Sequence, residues 1–294
     1  MRISMQRMVD RTIANIAMNL EKLVALQEQA ASGKRLLRPE DDPAGVRRAI
    51  SLRAGLAATQ RYLDNIQDSD DWMSATDAAL GHIADLMTKA LTLAEKGASD
   101  TVSADERRAL AAEVDQLLQE AISTGNTRLT DRYIFAGFKT TTQPFTLVPG
   151  PPDQVIYNGD SGQIRREIEP GETVTVNVTG DTAFPAVFEQ LIGLRDDLLA
   201  DDRAAVQARI SQLQAAQQGV LDVQATVGAR QGHLSGASER LENMKLMLTD
   251  LLSRVEDADM AETIVRLTEQ ETVYQAVLQA SASAIPPSLW SFLR

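Results

Sequence analysis

Apolar residues recur at seven-residue intervals along the stretch from Asp202 to Glu256. A seven-residue apolar repeat lies on one stripe of an α-helix, and this stripe is buried only where other helices lie alongside. The spacing therefore predicts a single helix of about 80 Å, packed along its length. The eight repeating positions are all aliphatic, namely Val206, Leu213, Val220, Val227, Leu234, Leu241, Leu248 and Val255.

The second line of this helix is partly polar. Gln217, Gln224 and Gln231 follow one another at heptad spacing. Uncharged amides inside a helical seam fix the register of the partners at some cost in stability, so we expect these glutamines to face a neighbouring helix.

Three glycines of the same helix recur at four-residue spacing, namely Gly228, Gly232 and Gly236. They share one face, where a neighbouring backbone could approach closely. The alternative is that they mark a kink or a break, because each glycine costs a helix about 1 kcal/mol relative to alanine.

Local signals delimit two further helices. Asp42 followed by Pro43 is a helix start, and the apolar spacing then continues to Lys96 and ends at Gly97. Ser103 with Glu106 forms a capping box that begins a third helix.

The pattern changes at Thr140, where prolines accumulate and β-branched residues alternate with polar ones. This predicts a small β insert with strands at 155–157, 163–168 and 172–178, and Asn158-Gly159 as a hairpin-type turn. Helix returns near Phe184.

Both ends of the chain carry apolar seams without a core of their own. The first helix should stop near Ser32-Gly33, and Asp259 with Glu262 can act as a capping box for the last. A helix of about 25 residues with one apolar stripe is marginal in water, so we expect these segments to order on assembly. In the assembled state, five residues of the first helix should pack against five residues of the last. Those of the first helix are Val9, Ile13, Ile16, Leu20 and Leu23, and those of the last are Ile264, Leu267, Tyr274, Leu278 and Ile285.

The charge distribution is uneven. The chain carries a net charge of −12, which argues against a general nucleic-acid binder. Up to Arg38, seven basic residues face three acidic ones, so this segment is +4. A basic arm could bind nucleic acid or anionic lipid, although the solvated flank of an amphipathic helix is the simpler interpretation. We therefore predict neither a nucleic-acid nor a membrane partner.

The composition excludes several classes of site. There is no cysteine, so disulfides, thiolate catalysis and thiolate zinc sites are ruled out. Gly159-Asp160-Ser161-Gly162 imitates a serine protease motif, but the histidines His82 and His233 are both expected on long helices, away from it. The prediction is a protein that is not an enzyme and has no cofactor and no metal.

No run of eighteen apolar residues is present, and charges at Arg2, Arg7 and Asp10 interrupt any secretory signal. These rules alone predict a cytosolic protein. Taken together, the elements predict a mainly α fold, a long antiparallel helical coiled-coil bundle with a small β domain. We expect a terminal helical domain of residues 1–38 with 259–294, a rod of 39–139 with 183–258, and a β domain of 140–182.

Several motifs together resemble the flagellin-like axial proteins of the bacterial flagellum, specifically the hook-associated protein 3 branch. The resemblance covers the whole chain. The motifs that carry it are Met1-Arg-Ile-Ser4, Ser32-Gly-Lys-Arg35, Arg38-Pro39, Asp41-Asp-Pro-Ala-Gly45, Asp131-Arg-Tyr-Ile-Phe-Ala-Gly137, Tyr157-Asn-Gly-Asp160, Val227-Gly-Ala-Arg230, and Leu251 to Glu262.

This resemblance implies a structural subunit of the hook–filament junction. It implies export through the flagellar type III apparatus without a cleaved signal, which would replace the cytosolic location by an extracellular one on the flagellum. The implied partners are the other junction protein (hook-associated protein 1), flagellin, an export chaperone and further copies of the chain in a ring.

Two alternatives remain open from the sequence. A flagellin, the filament subunit, shares most of these features. A signalling coiled coil would also use long heptads with glycines, but it would not predict a β insert or matching apolar seams at both ends.

Overall fold

The computed structural model describes residues 2–36, 38, 40, 42–150 and 152–284, and the side chains of all of these except 2–6, 283 and 284. Long helices dominate, and short strands lie between the third and fourth of them. In chain order the elements are α1 (Arg2–Ser32), α2 (Pro43–Gly97), α3 (Ala104–Gly125), β1 (Arg128–Leu129), β2 (Arg132–Tyr133), β3 (Phe145–Val148), β4 (Gln154–Tyr157), β5 (Arg165–Glu169), β6 (Glu172–Thr175), α4 (Gly180–Ala183), α5 (Pro185–Leu199), α6 (Arg203–Glu256) and α7 (Met260–Ala284).

The helix boundaries follow local signals. Gly33 adopts a φ of +68°, which ends α1. Asp42 Oδ1 accepts a hydrogen bond of 2.8 Å from the Gly45 amide in the first turn of α2. Before α3, the Ser103 hydroxyl and the Glu106 carboxylate each accept from the other residue's amide, so the predicted capping box is confirmed.

The heptad stripe of α6 is buried as predicted at its first six positions, and Leu248 and Val255 are half-buried. Exposure is 1% or less at Val206, Leu213, Val220, Val227 and Leu234. The helix begins one residue after Asp202, whose carboxylate accepts from the Ala205 amide at 3.0 Å.

The glycine face of α6 makes no close contact. The helix is continuous from Arg203 to Glu256, so the alternative of a break is wrong. Among the described residues, no atom lies within 4 Å of the place where a Cβ would stand on Gly228 or Gly232. The predicted approach of a neighbouring backbone is therefore absent within the single chain.

The chain divides into two compact units, Met1–Thr59 with Met244–Arg294, and Gln60–Asn243. In the second unit, α2, α3, α5 and α6 enclose a core that continues into the β insert. The three-part division that we expect from the sequence stays a prediction.

The seam glutamines fix the pairing of α2 and α6 inside the second unit. Gln217 donates to the Ala84 carbonyl at 3.2 Å and to the Thr88 hydroxyl at 2.8 Å. Fourteen residues further along α6, Gln231 donates to Ser74 at 3.1 Å. The partners on α2 have lower residue numbers as the residue numbers on α6 increase. The two helices are therefore antiparallel, as predicted.

The β insert contains three two-stranded antiparallel sheets, in which β1 pairs with β2, β3 with β4, and β5 with β6. The hairpin prediction at Asn158-Gly159 is wrong, because β4 and β5 do not pair. The sequence patterns also missed β3, which aligns Phe145 with Tyr157 of β4. The turn between β5 and β6 instead contains Gly171, with a φ of +79°.

Aromatic rings join the insert to the helices. The ring centre of Phe184 lies 4.7 Å from that of Phe135 and 5.2 Å from that of Phe145, and both pairs have edge-to-face geometry. Phe145 also contacts Phe188 of α5 at 5.0 Å between ring centres. Such pairs add about 1 kcal/mol each beyond their buried area, so they hold the sheets on the bundle. Within the described ranges, no helix is apolar over a length that would cross a bilayer.

Candidate assembly site

The first and last helices of the chain pack on each other. Gln270 of α7 donates its side-chain amide to Asn19 Oδ1 of α1 at 3.1 Å. Beyond the ends of these helices, Lys34 and Asp257 form an isolated antiparallel bridge. Asn19 thus pairs with Gln270, and Lys34, later in the sequence, pairs with Asp257, which is earlier in the sequence than Gln270. The two helices are therefore antiparallel.

Half of the predicted seam residues lie between these helices. Leu23 is buried at 9% exposure. Val9, Ile16, Leu267 and Tyr274 are half-buried.

Leu26 and Val277 occupy two of the remaining positions of this seam, and polar residues fill the others at three- and four-residue spacing. The polar residues are half-buried or buried on the same face: Thr12, Asn19, Thr263, Gln270 and Ser281. The apolar pattern did not reveal them, although their spacing relative to Val9, Ile16 and Leu267 is that of a second heptad line.

Four of the other five predicted residues are exposed in the single chain. Ile13 is 59% exposed, Leu20 43%, Ile264 53% and Leu278 42%. Ile285 lies outside the described residues. Contact of Ile13, Leu20, Ile264 and Leu278 with a partner in the assembled flagellum stays a prediction.

These exposed residues share one side of the helix pair. A groove lined by both charged and apolar residues, among them Lys22, Arg266 and Val273, occupies the opposite side. Leu20 is two residues from Lys22, and Ile264 is two residues from Arg266. Two residues correspond to a rotation of about 200° around an α-helix. We define the apolar face as the following exposed residues on the side away from the groove: Ile13, Leu20, Val24, Ile264 and Leu278.

A second feature joins the segments that follow α1 and precede α7. The Arg35 amide donates to the Glu256 carbonyl at 2.7 Å, and the Ala258 amide donates to the Gly33 carbonyl at 3.0 Å. The Arg35 guanidinium donates to the Val255 carbonyl at 2.8 Å. These bonds link residues more than 200 positions apart in the sequence.

Charged side chains complete this feature, which we call the clasp and define as Lys34, Arg35, Arg53, Glu256 and Asp257. Lys34 Nζ lies 2.6 Å from Asp257 Oδ1 and 3.6 Å from Glu256 Oε1. Arg53 of α2 also pairs with Glu256, which is only 5% exposed. A nearly buried carboxylate needs such partners, because an unpaired charge is costly to desolvate.

The clasp shifts the ionisation of its outer pair. The hydrogen bond to Asp257 raises the pKa of Lys34, and the same bond lowers the pKa of Asp257. Both charged forms are therefore favoured around neutral pH. The sequence motifs contain Lys34, Glu256 and Asp257, but only the structure shows that they meet and that Arg53 joins them.

Two other sequence motifs interlock in the β insert. Asp160 Oδ1 accepts from the Phe138 amide at 2.7 Å and from the Gly162 amide at 2.9 Å. These bonds lower the pKa of Asp160. Gly137 has a φ of +66°, and a Cβ there would stand 2.1 Å from the Asp160 carbonyl oxygen. The motifs around Gly137 and Asp160 therefore depend on each other sterically.

The serine of the protease-like motif and the two histidines each pair with a separate carboxylate. Ser161 donates its hydroxyl to Asp181 at 2.7 Å. His82 pairs with Glu120 at 2.9 Å, and His233 pairs with Glu172 at 3.1 Å. Across the described part of the chain, no three His, Asp or Glu side chains converge in a way that could hold a metal ion.

Comparison with known proteins identifies the family. The model of the bacterial flagellin N-terminal helical region matches residues 3–140, and that of the C-terminal helical region matches residues 210–293. Together they account for most of the chain, including all ten residues of the predicted seam. The chain belongs to the bacterial flagellin family.

Relatives within the flagellin family include hook-associated proteins and filament proteins. The chain is 24% identical to the flagellar hook-associated protein 3 of Escherichia coli K12, over 95% of this chain and 96% of that protein. It is 29% identical to the protein of the same name from Salmonella typhimurium LT2, over 64% of this chain and 58% of that one. A flagellin of Halalkalibacterium halodurans is 25% identical, over 95% of both chains.

Solved structures show the same flagellin-family fold. The hook-associated protein-3 of Legionella pneumophila superimposes with a TM-score of 0.63 at 16% identity, covering 69% of this chain and 98% of that one. FlgL of Xanthomonas campestris gives 0.62 at 18% identity, covering 69% and 99%. The mainly α fold with a small β insert is thus confirmed as flagellin-like.

Proposed function

We propose that this chain is a structural subunit of the bacterial flagellum that forms the junction between hook and filament, joining the other hook-associated junction protein to flagellin. The single observation that carries the proposal is the apolar face, which leaves large aliphatic side chains exposed on both terminal helices. The hook-associated proteins 3 among the relatives support a place at the junction, and the relatives that are flagellins leave the filament subunit as the alternative. The proposed role involves no catalysis.

The apolar face supports assembly for a physical reason. Complete burial of an exposed aliphatic side chain contributes about 1.5–3 kcal/mol. The five side chains of the face are 40–59% exposed, so roughly half of this amount remains to be gained at each of them. The seam within the chain is partly polar, so burial inside one molecule stabilises the helix pair only modestly. The terminal helices therefore gain most of their stability when the apolar face packs against neighbouring subunits.

The partners and the location form part of the same proposal. The neighbours would be hook-associated protein 1 on one side, flagellin on the other, and copies of this chain in a ring. We propose an extracellular location on the flagellum, reached through the flagellar type III apparatus without a cleaved signal and with the help of an export chaperone.

Deletion of the gene tests the junction role. Electron microscopy of the deletion strain should show hooks without filaments, and flagellin should be present unpolymerised in the medium. Hooks without filaments and without shed flagellin would instead make the chain a principal flagellin. Normal filaments would contradict both functions.

Leu20→Asp tests the apolar face itself. Because Leu20 is 43% exposed, the variant should fold as a monomer with an unchanged melting temperature. In the assembled state the new carboxylate would be buried without a partner, so hooks should carry less than a tenth of the normal amount of the protein.

The matched control is Ala25→Asp, which places the same charge at an exposed residue of the groove on the other side of α1. This variant should assemble normally. Normal incorporation of the Leu20→Asp variant, or equal loss with both variants, would exclude the apolar face as the assembly surface.

A further inference from the structure

A cavity of about 300 Å³ lies between the β5–β6 region and α6, within the second compact unit. Neutral polar side chains form most of its wall, and Val178 and Val223 supply an apolar patch. Its one charged wall residue is Arg230, which closes the Val227-Gly-Ala-Arg230 motif. The proposed junction function assigns no role to this motif.

The guanidinium of Arg230 has unused hydrogen-bonding capacity. Its Nη1 atom donates to the carbonyls of Thr175 at 3.3 Å and Asn177 at 3.4 Å, and both bonds are long. A guanidinium carries five N–H donors, so most of them remain available. Within the described part of the chain, no carboxylate lies at ion-pair distance from Arg230, although the residue is half-buried.

A second donor borders the same cavity. The Gln163 side-chain oxygen accepts a hydrogen bond from Arg165 at 3.4 Å, which leaves the Gln163 amide N–H groups free to donate. Asn177 is only 3% exposed and uses both ends of its side-chain amide within the protein, since it donates to the Gly162 carbonyl and accepts from the Ile164 amide, both at 2.8 Å. It therefore shapes the wall and is not a ligand-binding group.

Hydroxyl groups surround these donors. The Thr226 hydroxyl gives its proton to the Asp222 carbonyl at 3.0 Å, and the Ser161 hydroxyl gives its proton to Asp181 at 2.7 Å. Both oxygens keep lone pairs that can accept from a ligand. The cavity thus combines cationic and amide donors with hydroxyl acceptors.

We propose that this cavity binds an acidic monosaccharide of the hexuronate class. A planar guanidinium recognises a carboxylate through two parallel hydrogen bonds, which matches the free edge of Arg230. The sugar hydroxyls would donate to Thr226 and Ser161 and accept from Gln163, while a C–H face of the sugar would lie against Val178 and Val223. The volume is sufficient for one such ring.

Titration of the full-length protein with glucuronate, followed through the methyl NMR signals of Val178 and Val223, tests this site. Glucose and acetate at equal concentrations separate the two chemical requirements. We expect saturable shifts with glucuronate and an affinity at least tenfold higher than that for either fragment. Equal affinity for glucuronate and glucose, equal affinity for glucuronate and acetate, or no saturable binding would each overturn the proposal.

Two substitutions on α6 provide the matched comparison. Arg230→Met should reduce the glucuronate affinity at least tenfold, whereas Arg240→Met removes the same charge from a surface pair with Glu169 and should leave the affinity unchanged. Arg230→Lys retains the charge but not the planar donor edge, so an intermediate affinity is expected. If Arg230→Met does not fold, full affinity in the Arg230→Lys variant would contradict the bidentate role, and an affinity reduced severalfold would support it.

Discussion

Lys34 Nζ lies 2.6 Å from Asp257 Oδ1, although 223 positions separate the two residues in the chain. Both side chains are about 40% exposed, so this pair by itself contributes little, about 0.5 kcal/mol. The stronger element of the clasp is Glu256 behind it, whose side chain is only 7% exposed and is shared between Lys34 and Arg53.

Arg53→Met should therefore destabilise the clasp more than removal of the outer pair does. The variant leaves the nearly buried Glu256 carboxylate with Lys34 alone, at 3.6 Å. We expect the free energy of unfolding to fall by about 1 kcal/mol, measured by urea denaturation. Arg48→Met removes an exposed arginine from the same helix and should change it by less than about 0.5 kcal/mol. Equal effects of the two substitutions would mean that Glu256 does not depend on Arg53.

The outer pair should respond to acid. The pKa of Asp257 is lowered by its hydrogen bond with Lys34, so the stabilisation is present above the ordinary aspartate pKa and is lost as pH falls through the lowered folded-state value. NMR of the Ala258 amide should show this transition below the range of an ordinary aspartate. In the Lys34→Met variant the midpoint should move upward, and an unchanged midpoint would contradict the assigned cause.

Arg195 should be the most sensitive charged residue of the second unit. Its side chain is 12% exposed and contacts Asp153 at 2.8 Å, Asp196 at 2.8 Å and Asp115 at 3.2 Å. Arg195→Met leaves three clustered carboxylates without a cation, so we expect a loss of about 2–3 kcal/mol in the free energy of unfolding. Arg108→Met breaks an exposed pair with Asp105 and should cost about 0.3 kcal/mol. A loss below 1 kcal/mol for Arg195→Met would show that solvent already screens the cluster.

Tyr157 should ionise later than an ordinary tyrosine. Burial, with a contribution from Asp181, raises the pKa of its phenol to about 12. The folded state then binds this proton more tightly than the unfolded state. The resulting stability is complete below about pH 10 and is lost as pH rises towards 12.

Ultraviolet titration of tyrosinate measures this effect directly. The native protein should show one phenol with a midpoint near pH 12. Tyr157→Phe should remove this late transition, and Tyr133→Phe should retain it. A late transition that persists in Tyr157→Phe would contradict the assignment.

The terminal helices should exchange their amide hydrogens rapidly in the monomer. Of the predicted seam residues on α1, only Leu23 is buried in the single chain. The α6 stripe, in contrast, is buried at nearly every heptad position of the second unit. Amides around Ile16 should therefore exchange roughly a hundredfold faster than those around Val220, as followed by mass spectrometry. Equal protection would show that the helix pair is stable without assembly.

Helix identity was predictable because its signals are local. The Ser103 capping box, the Asp42-Pro43 start and the glycine at position 33 each act within a few residues. The strand pairing was not predictable to the same extent. Asn158-Gly159 has the composition of a hairpin turn, but the Asn158 amide donates to the Pro144 carbonyl, and Asp160 binds amides on both sides of it.

The sequence alone determined the helices of this protein, the heptad stripe of α6 and the apolar character of both ends, because periodicity and capping depend on residues that are close in the chain. Only the tertiary structure decided which of two adjacent rows of residues on α1 faces α7, the row of Thr12 and Asn19 or the row of Ile13 and Leu20. Asn19 is in the seam because Gln270 lies opposite to bond it, and Leu20, one residue further, is left exposed. This choice depends on a residue some 250 positions away, so no local pattern contains it.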